Sequence, residues 1–278
     1  MRIEVIEIVL LALLGVAVGA YGTLVGIGGG FVVVPLLLLV YKLPPPAAAA
    51  TSLVVVVLNA ASATTGYLRA GRVDVRTGLV LALATVPGAL IGPFITERLP
   101  GPAYRAILGV FLAIMFVFLI LRPEQTPQTP SQPAARGKWL RVHRTFTDRG
   151  GDSFNYSYSV PLALVISFLV GILSSTLGIG GGIVHVPAMI HLMSFPVHVA
   201  TATSQFILAV TASAGVAEYA ARGHVVWSLA VPLGIGAVVG AQLGVAISKR
   251  VHGRRIVRLL ALAVLFLSLR LLWDSANR

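Results

Sequence analysis

Gly26-Ile27-Gly28-Gly29-Gly30 interrupts an apolar stretch, and 152 positions further on Gly178-Ile179-Gly180-Gly181-Gly182 interrupts another in the same way. The same ungapped shift carries Pro35 onto Pro187, Pro44 onto Pro196 and Ala50-Thr51-Ser52 onto Ala202-Thr203-Ser204. It also carries Tyr67 onto Tyr219, Gly71 onto Gly223, Gly88-Ala89 onto Gly240-Ala241 and Gly92 onto Gly244. Apolar runs match one another by chance in a biased sequence. Ordered agreement of glycine, proline, threonine, serine and tyrosine does not. The chain therefore reads as two copies of one unit.

The surroundings of each glycine run set the solvent. Of 278 residues, 57% are hydrophobic and 11% charged, with a mean hydropathy of +0.92. A soluble domain carries about 25% charged residues, and a water-facing exterior needs polar cover. The exterior of this chain is suited to lipid. Crossing the hydrocarbon core takes about 20 apolar residues. The candidate segments are Glu4–Leu24, Phe31–Tyr41, Pro46–Leu68, Val75–Ile95 and Tyr104–Leu121, then Val160–Leu177, Ile183–Ser194, Val197–Ala221, Val225–Ile247 and Ile256–Trp273. Phe31–Tyr41 and Ile183–Ser194 are too short to cross alone, and each follows a glycine run. They read as halves of broken or re-entrant helices. The expected fold is an all-α polytopic membrane protein of about 8–10 membrane segments, in two homologous helical repeats. Its division is residues 1–121, a linker at 122–158, and residues 159–278.

Ile3 to Val18 resembles a secretory signal in length, but Glu4 and Glu7 accompany Arg2 and no small-residue cleavage site follows. It reads as a retained first helix. In the linker, Pro123 to Pro133 is a tether rich in Gln, Thr and Pro. Thr145-Phe146-Thr147-Asp148 and Ser153-Phe154-Asn155-Tyr156-Ser157-Tyr158 flank Arg149-Gly150-Gly151-Asp152, a β-hairpin pattern.

Charge is +12, with 21 Lys and Arg against nine acids. The basic residues flank apolar segments or sit in the linker, as positive-inside patterning requires, and do not interleave with aromatics along a nucleic-acid face. No nucleic-acid partner is expected. The basic clusters Arg122, Arg136, Lys138, Arg141, Arg144, Arg149 and Lys249, Arg250, Arg254, Arg255, Arg258 fall on one membrane face if each half makes five passes, and the repeats are then inverted. Four passes per half would make them parallel. The patterning favours inversion. Without cysteine, thiol catalysis and cysteine zinc sites are excluded. No catalytic constellation, metal site or cofactor site is evident, so an enzyme is not expected.

Backbone broken at membrane depth must be buried in protein or line a watery cavity. Helices starting after Gly30 and Gly182 would present unpaired N–H groups and positive dipole ends. The candidate anion site therefore comprises Gly26, Gly28, Gly29, Gly30, Gly178, Gly180, Gly181 and Gly182. Thr51, Ser52, Thr203, Ser204 and Gln205 are candidate donors to substrate oxygens, and Asn59 and Thr211 lie two turns along the same helix faces. Serine and threonine also bond routinely to the preceding turn or a neighbouring helix, the competing structural reading. His185, opposite Val33 in the first copy, is a candidate anion or proton contact. Acids lie at segment ends or in loops, apart from Glu218 near a helix end, whereas cation carriers want buried carboxylates. Anions suit this interior better.

The block Gly171-Ile172-Leu173-Ser174-Ser175-Thr176-Leu177-Gly178-Ile179-Gly180-Gly181-Gly182, with Val186-Pro187 after it, resembles the TauE/SafE family of sulfite and organosulfonate exporters. Phe195-Pro196-Val197-His198-Val199-Ala200-Thr201-Ala202-Thr203-Ser204 and Ser248-Lys249-Arg250 carry the same resemblance. It implies a multi-pass permease of the cytoplasmic (inner) membrane for a small sulfur-containing anion. The first copy departs from the pattern with Pro44-Pro45-Pro46-Ala47-Ala48 and with Leu53 in place of Gln205, which tilts a polar site toward the second copy. The partners implied are the lipid bilayer and the anion. A coupling ion, H⁺ or Na⁺, and a homo-oligomer are both left open, as are an uncoupled anion channel and an uptake permease for carboxylates.

Overall fold

The computed structural model describes residues 4–121, 141–147, 153–248 and 254–276, with backbone alone described at the ends of some elements. The first half contains α1 (Val5–Val25), α2 (Gly30–Leu39), α3 (Pro45–Arg69), α4 (Val75–Arg98) and α5 (Gly101–Leu121). Strands β1 (Arg141–Thr147) and β2 (Ser153–Ser159) follow. The second half contains α6 (Val160–Leu177), α7 (Gly182–His191), α8 (Val197–Ala221), α9 (Trp227–Ile247) and α10 (Arg254–Ala276). Six of the described helices, α1, α3, α4, α6, α8 and α9, are long and apolar enough to cross a membrane. Within α5, residues 101–117 form a shorter apolar helix.

The glycine runs end one helix and start another. Gly26 stops α1 in a left-handed conformation (φ +81°), and the Ile27 amide donates back to Gly22 O at 2.8 Å. Gly178 stops α6 likewise (φ +70°), its amide donating to Ser174 O at 2.9 Å. Residues with a side chain rarely adopt such angles, so the stop is written into the sequence. The helices that restart, α2 and α7, have 10 residues each. At 1.5 Å per residue that is about 15 Å, half the hydrocarbon thickness.

In lipid there is little hydrophobic drive between helices, so close backbone approach through small residues must hold them. The α1–α9 seam does this: a Cβ on Gly236 would lie 2.0 Å from Ala12 O, and one on Gly240 2.1 Å from Val16 O. Ala12 meets Gly236, Val16 meets Gly240 and Thr23 meets Gly244, so the two helices run parallel. In the α4–α6 seam a Cβ on Gly171 would lie 2.2 Å from Thr85 O, and one on Gly88 2.3 Å from Phe168 O. These helices are parallel too, Gly92 meeting Ser175 and Thr176. The 152-residue shift carries α1 onto α6 and α9 onto α4, so the two seams correspond under an exchange of halves. Each half packs its first helix on the other half's fourth.

At the centre α3 and α8 cross antiparallel. The start of α8 lies at the end of α3, where Ala202 clusters with Ala63 and Tyr67, and Leu53 reaches Gly215 near the far end. Val56 and Leu208, which correspond in the two halves, meet between both glycine turns. At the periphery α5 packs on α10, with Ser268 Oγ donating to Gly109 O at 2.8 Å and an Arg105–Asp274 ion pair. Large apolar side chains such as Leu13, Leu83, Ile114, Leu169, Ile235 and Phe266 point outward, as a lipid-facing belt does.

The hairpin pairs β1 and β2 antiparallel, with Val142 opposite Tyr158 and Arg144 opposite Tyr156. The turn expected around Arg149-Gly150-Gly151-Asp152 and the tether at 123–133 lie outside the described residues. Tyr156 and Tyr158 are buried against Phe195, the Tyr156 ring centroid 4.0 Å from that of Phe195. The hairpin is thereby fixed to the α7–α8 turn.

Candidate functional site

The two glycine breaks touch. A Cβ on Gly182 would stand 2.1 Å from Gly26 O, and a Cβ on Gly30 2.6 Å from Ile179 O. Gly28 and Gly180 both lie against Val56 and Leu208, so an apolar collar from the α3–α8 crossing closes over the paired turns. The first turns of α2 and α7 start from this junction. A helix start leaves its first N–H groups without an intrahelical acceptor.

Of the hydroxyls expected to face substrate, those of Ser52 and Ser204 bind backbone at these breaks. Ser204 Oγ donates to Gly26 O at 3.1 Å, and Ser52 Oγ to Gly30 O at 3.4 Å. Gln205 Nε2 donates to Gly22 O at 3.0 Å. Thr203 Oγ1 accepts the Asp74 amide at 3.1 Å, and Thr51 Oγ1 accepts the Val226 amide at 3.0 Å. Asp74 and Val226 are the N-caps of α4 and α9, so each threonine ties one half's third helix to the start of the other half's fourth. Thr51 and Thr203 thus act at helix starts rather than beside the glycines, because they sit about 100° round α3 and α8 from Ser52 and Ser204, which face the breaks.

Asn59 stays at the junction: Thr23 Oγ1 donates to its Oδ1 at 3.3 Å. Thr211, its counterpart, bonds Ile207 O at 2.8 Å and forms a hydroxyl pair with Thr85 of α4. His185 is buried, with Nε2 3.1 Å from Ser167 Oγ on α6. That places it against α6, one turn inside α7, and the described contacts do not join it to Thr51, Ser52 or Gln205.

Several residues around the breaks were not singled out as site residues from sequence. Tyr67 OH donates to Thr23 O, and Tyr219 OH reaches Ser175 O, both at 3.1 Å. These equivalent tyrosines hold the carbonyls just before each glycine stop; their recurrence as repeat markers was the available signal. Tyr104 OH donates to Leu177 O at 2.9 Å and Thr96 Oγ1 to Thr176 O at 2.8 Å. Among the described residues, four buried polar atoms next to the breaks have no hydrogen-bond partner: Asn59 Nδ2, Gln205 Oε1, Ser174 Oγ and Ser175 Oγ. Such groups are uncommon in a folded interior, and each calls for a partner.

Two charged clusters lie at opposite ends of α4. At its start the Asp74 carboxylate accepts from Thr77 N at 3.1 Å, from Thr77 Oγ1 at 2.6 Å and from Tyr156 OH, with Arg144 3.7 Å away. Burial would push this carboxyl up, but the Thr77 and Tyr156 hydrogen bonds and the Arg144 charge hold it below the usual carboxylate range. At its end Glu97 pairs with Arg222 at 2.6 Å and His224 at 2.8 Å, and Arg222 also binds Glu218. Glu218, the acid that sequence placed nearest the interior, is thus an ion-pair partner at the bundle's end. No group of three or more His, Cys, Asp or Glu side chains able to hold a metal occurs among the described residues.

Comparison of the sequence with known families places the chain. The family model "Sulfite exporter TauE/SafE" covers residues 11–271. The chain belongs to the TauE/SafE family. It is similar to "Probable membrane transporter protein YunE" of Bacillus subtilis, 32% identical over 274 residues, 96% of this chain and 98% of that one. It is also similar to "Probable membrane transporter protein ORF9" of Sinorhizobium sp, 26% identical over 78% of this chain and 75% of that one. A "Probable membrane transporter protein" of Xylella fastidiosa is 24% identical over 78% of this chain and 76% of that one. No solved structure matches. A TauE/SafE protein with these six apolar helices is a multi-pass membrane transporter, not an enzyme.

Proposed function

We propose that this TauE/SafE transporter carries a small sulfur-containing oxyanion, sulfite or an organosulfonate, outward across the cytoplasmic membrane. The observation that supports the reading is the contact between the two glycine breaks, Gly26–Gly30 against Gly178–Gly182, ringed by buried polar atoms without partners. Two helix starts at one junction favour negative charge. Sulfur and the outward direction rest on the family's description alone.

In this account the halves at 1–121 and 159–278 are inverted repeats joined by the linker at 122–158. The antiparallel crossing of α3 and α8 and the exchange of the α1–α9 and α4–α6 seams support inversion. Substrate sits between repeats near mid-membrane, as in other transporters built from inverted repeats. Rocking one half against the other exposes it alternately, with H⁺ or Na⁺ as the coupling ion.

Binding tests the reading. Purified protein is heated with sulfite, sulfate, sulfoacetate, taurine, acetate or chloride. A ligand at 100 times its dissociation constant stabilises the folded state by about 2.7 kcal/mol. Stabilisation by a sulfur anion and not by acetate or chloride is expected. A flat response across the panel would remove the anion reading, and a response to acetate alone would replace sulfur with carboxylate.

A further inference from the structure

The glycine breaks correspond under the shift, but the polar atoms around them do not. At the end of α6, Ser174 and Ser175 offer hydroxyls, which rotate and can donate or accept. At the end of α1 the unpartnered atoms belong to two amides, and for Gln205 the partner defines which atom is left over. Gln205 Nε2 is committed to the Gly22 carbonyl, an acceptor only, so the atom left over is Oε1, a fixed acceptor. Asn59 Oδ1 receives the Thr23 hydroxyl, so the atom left over is Nδ2, a donor. Both side chains are fully buried.

These two amides act at one place. Their anchors, Gly22 and Thr23, are consecutive residues in the last turns of α1. A Cβ on Gly22 would stand 2.5 Å from the Gly29 amide, so this end of α1 packs directly against the residue that precedes α2. The start of α2, a buried N–H₂ donor and a buried carbonyl acceptor are therefore all tied to the same end of α1. The first two suit any oxyanion. The third does not: facing a fully deprotonated oxyanion, an amide oxygen meets a lone pair and stays unpaired, and a buried unpaired acceptor is costly. It is satisfied by a ligand that brings a hydrogen of its own. The equivalent of Gln205 in the first half is Leu53, which makes no such demand.

We propose, resting on the anion-transport reading, that the end of α1 selects a monoanionic oxyanion that keeps a hydroxyl, with Gln205 Oε1 accepting from that hydroxyl. Asn59 Nδ2 and the α2 start take the charged oxygens. Dianions and monoanions without a donor are disfavoured, so of the two cargoes proposed above this narrows the choice to singly protonated sulfite over organosulfonates that lack a donor. Titratable groups tied to the same elements are Tyr67, through Thr23 O, and Asp74, through Thr203 two residues before Gln205. A probe with no titration of its own controls for both.

The test uses the full chain in detergent and two probes of similar shape. Methylphosphonate is a hydroxyl-bearing monoanion in mild acid and a dianion in mild alkali. Methanesulfonate is a monoanion without a hydroxyl throughout. In the wild type, methylphosphonate should bind at least about tenfold tighter in mild acid than in mild alkali, and about tenfold tighter than methanesulfonate at the acid pH. Methanesulfonate binding should not change between the two pH values. Q205L, checked for an intact thermal transition, should bind both probes about equally at acid pH. Methanesulfonate binding as tightly as monoanionic methylphosphonate in the wild type overturns this inference and leaves anion transport standing. Failure of both probes and of every anion in the panel above overturns the transport reading itself. The wild-type comparison decides even if Q205L does not fold.

Discussion

The contact between the breaks can be attacked with a single methyl group. Gly182 begins α7 without left-handed backbone, so alanine there is penalised only by what its Cβ meets. It meets Gly26 O at 2.1 Å, Leu208 Cδ1 at 2.7 Å and Ile27 Cα at 2.9 Å. The leucine can rotate; the other two are backbone of the opposite break, and Ser204 holds the Gly26 carbonyl in place. Ordinary contact begins at 3.4 Å, so α7 must retreat by about 1 Å from Gly26. Overpacking of this kind costs about 1–3 kcal/mol, and at about 2–4 °C per kcal/mol the midpoint should fall by roughly 2–12 °C. Misplacing a bound group by about 1 Å can cost two orders of magnitude in rate, so anion flux should fall at least about tenfold. Gly101→Ala is the control, since nothing lies within 4 Å of its added methyl. The assay is thermal unfolding in detergent together with flux in proteoliposomes. A Gly182→Ala protein with the melting temperature and flux of the Gly101→Ala control would refute the packed junction.

Other predictions test the elements around it. Tyr219→Phe removes a hydroxyl within reach of Ser175 O and Thr96 Oγ1, and should cost about 1–3 kcal/mol in thermal unfolding; an unchanged midpoint would remove the tyrosine as a tether of the second break. Asp74 has its folded pKa lowered, so its contribution to stability is present above the unfolded value of about 3.9 and lost as pH falls through the folded one. The wild type should therefore lose more stability than Asp74→Asn on acidification below about pH 4, and parallel pH profiles would show that the hairpin contact is weak. The Glu97–Arg222 pair is about a quarter exposed on each side, so Glu97→Gln should cost no more than about 1 kcal/mol, read by thermal unfolding. A larger loss would mean that the cluster closes that end of the bundle.

Much of the fold was legible because glycine and proline act locally. Gly26 and Gly178 stop helices by their own backbone angles, and the proximity of Pro44 and Pro196 to those stops limits α2 and α7 to half-spans, so the breaks could be placed to the residue. Six spanning helices follow from length and hydropathy. Helix starts were less exact: α5 begins at Gly101 rather than Tyr104, and α9 at Trp227 rather than Val225, where the amide of the N-cap Val226 is held by Thr51 from α3. The partners of the hydroxyls were not legible. Thr51 and Thr203 look alike in sequence to residues lining a site, but they receive amides 175 and 129 positions away. Only the antiparallel crossing of α3 and α8, a long-range fact, brings those amides near. Ser174 and Ser175 were visible beside the second break, yet their unpartnered state depends on what α3, α4 and α8 fail to offer them.

The central claim is that this junction carries a sulfur oxyanion by alternating access. Counterflow tests it most directly: proteoliposomes loaded with unlabelled sulfite take up external labelled sulfite, with wild type and Gly182→Ala compared. Saturable, transient accumulation of label above equilibrium is expected in the wild type, and its loss in the variant. Flux that never saturates and shows no counterflow would contradict alternating access and mark the protein as a channel, and no sulfite flux at all would contradict the substrate.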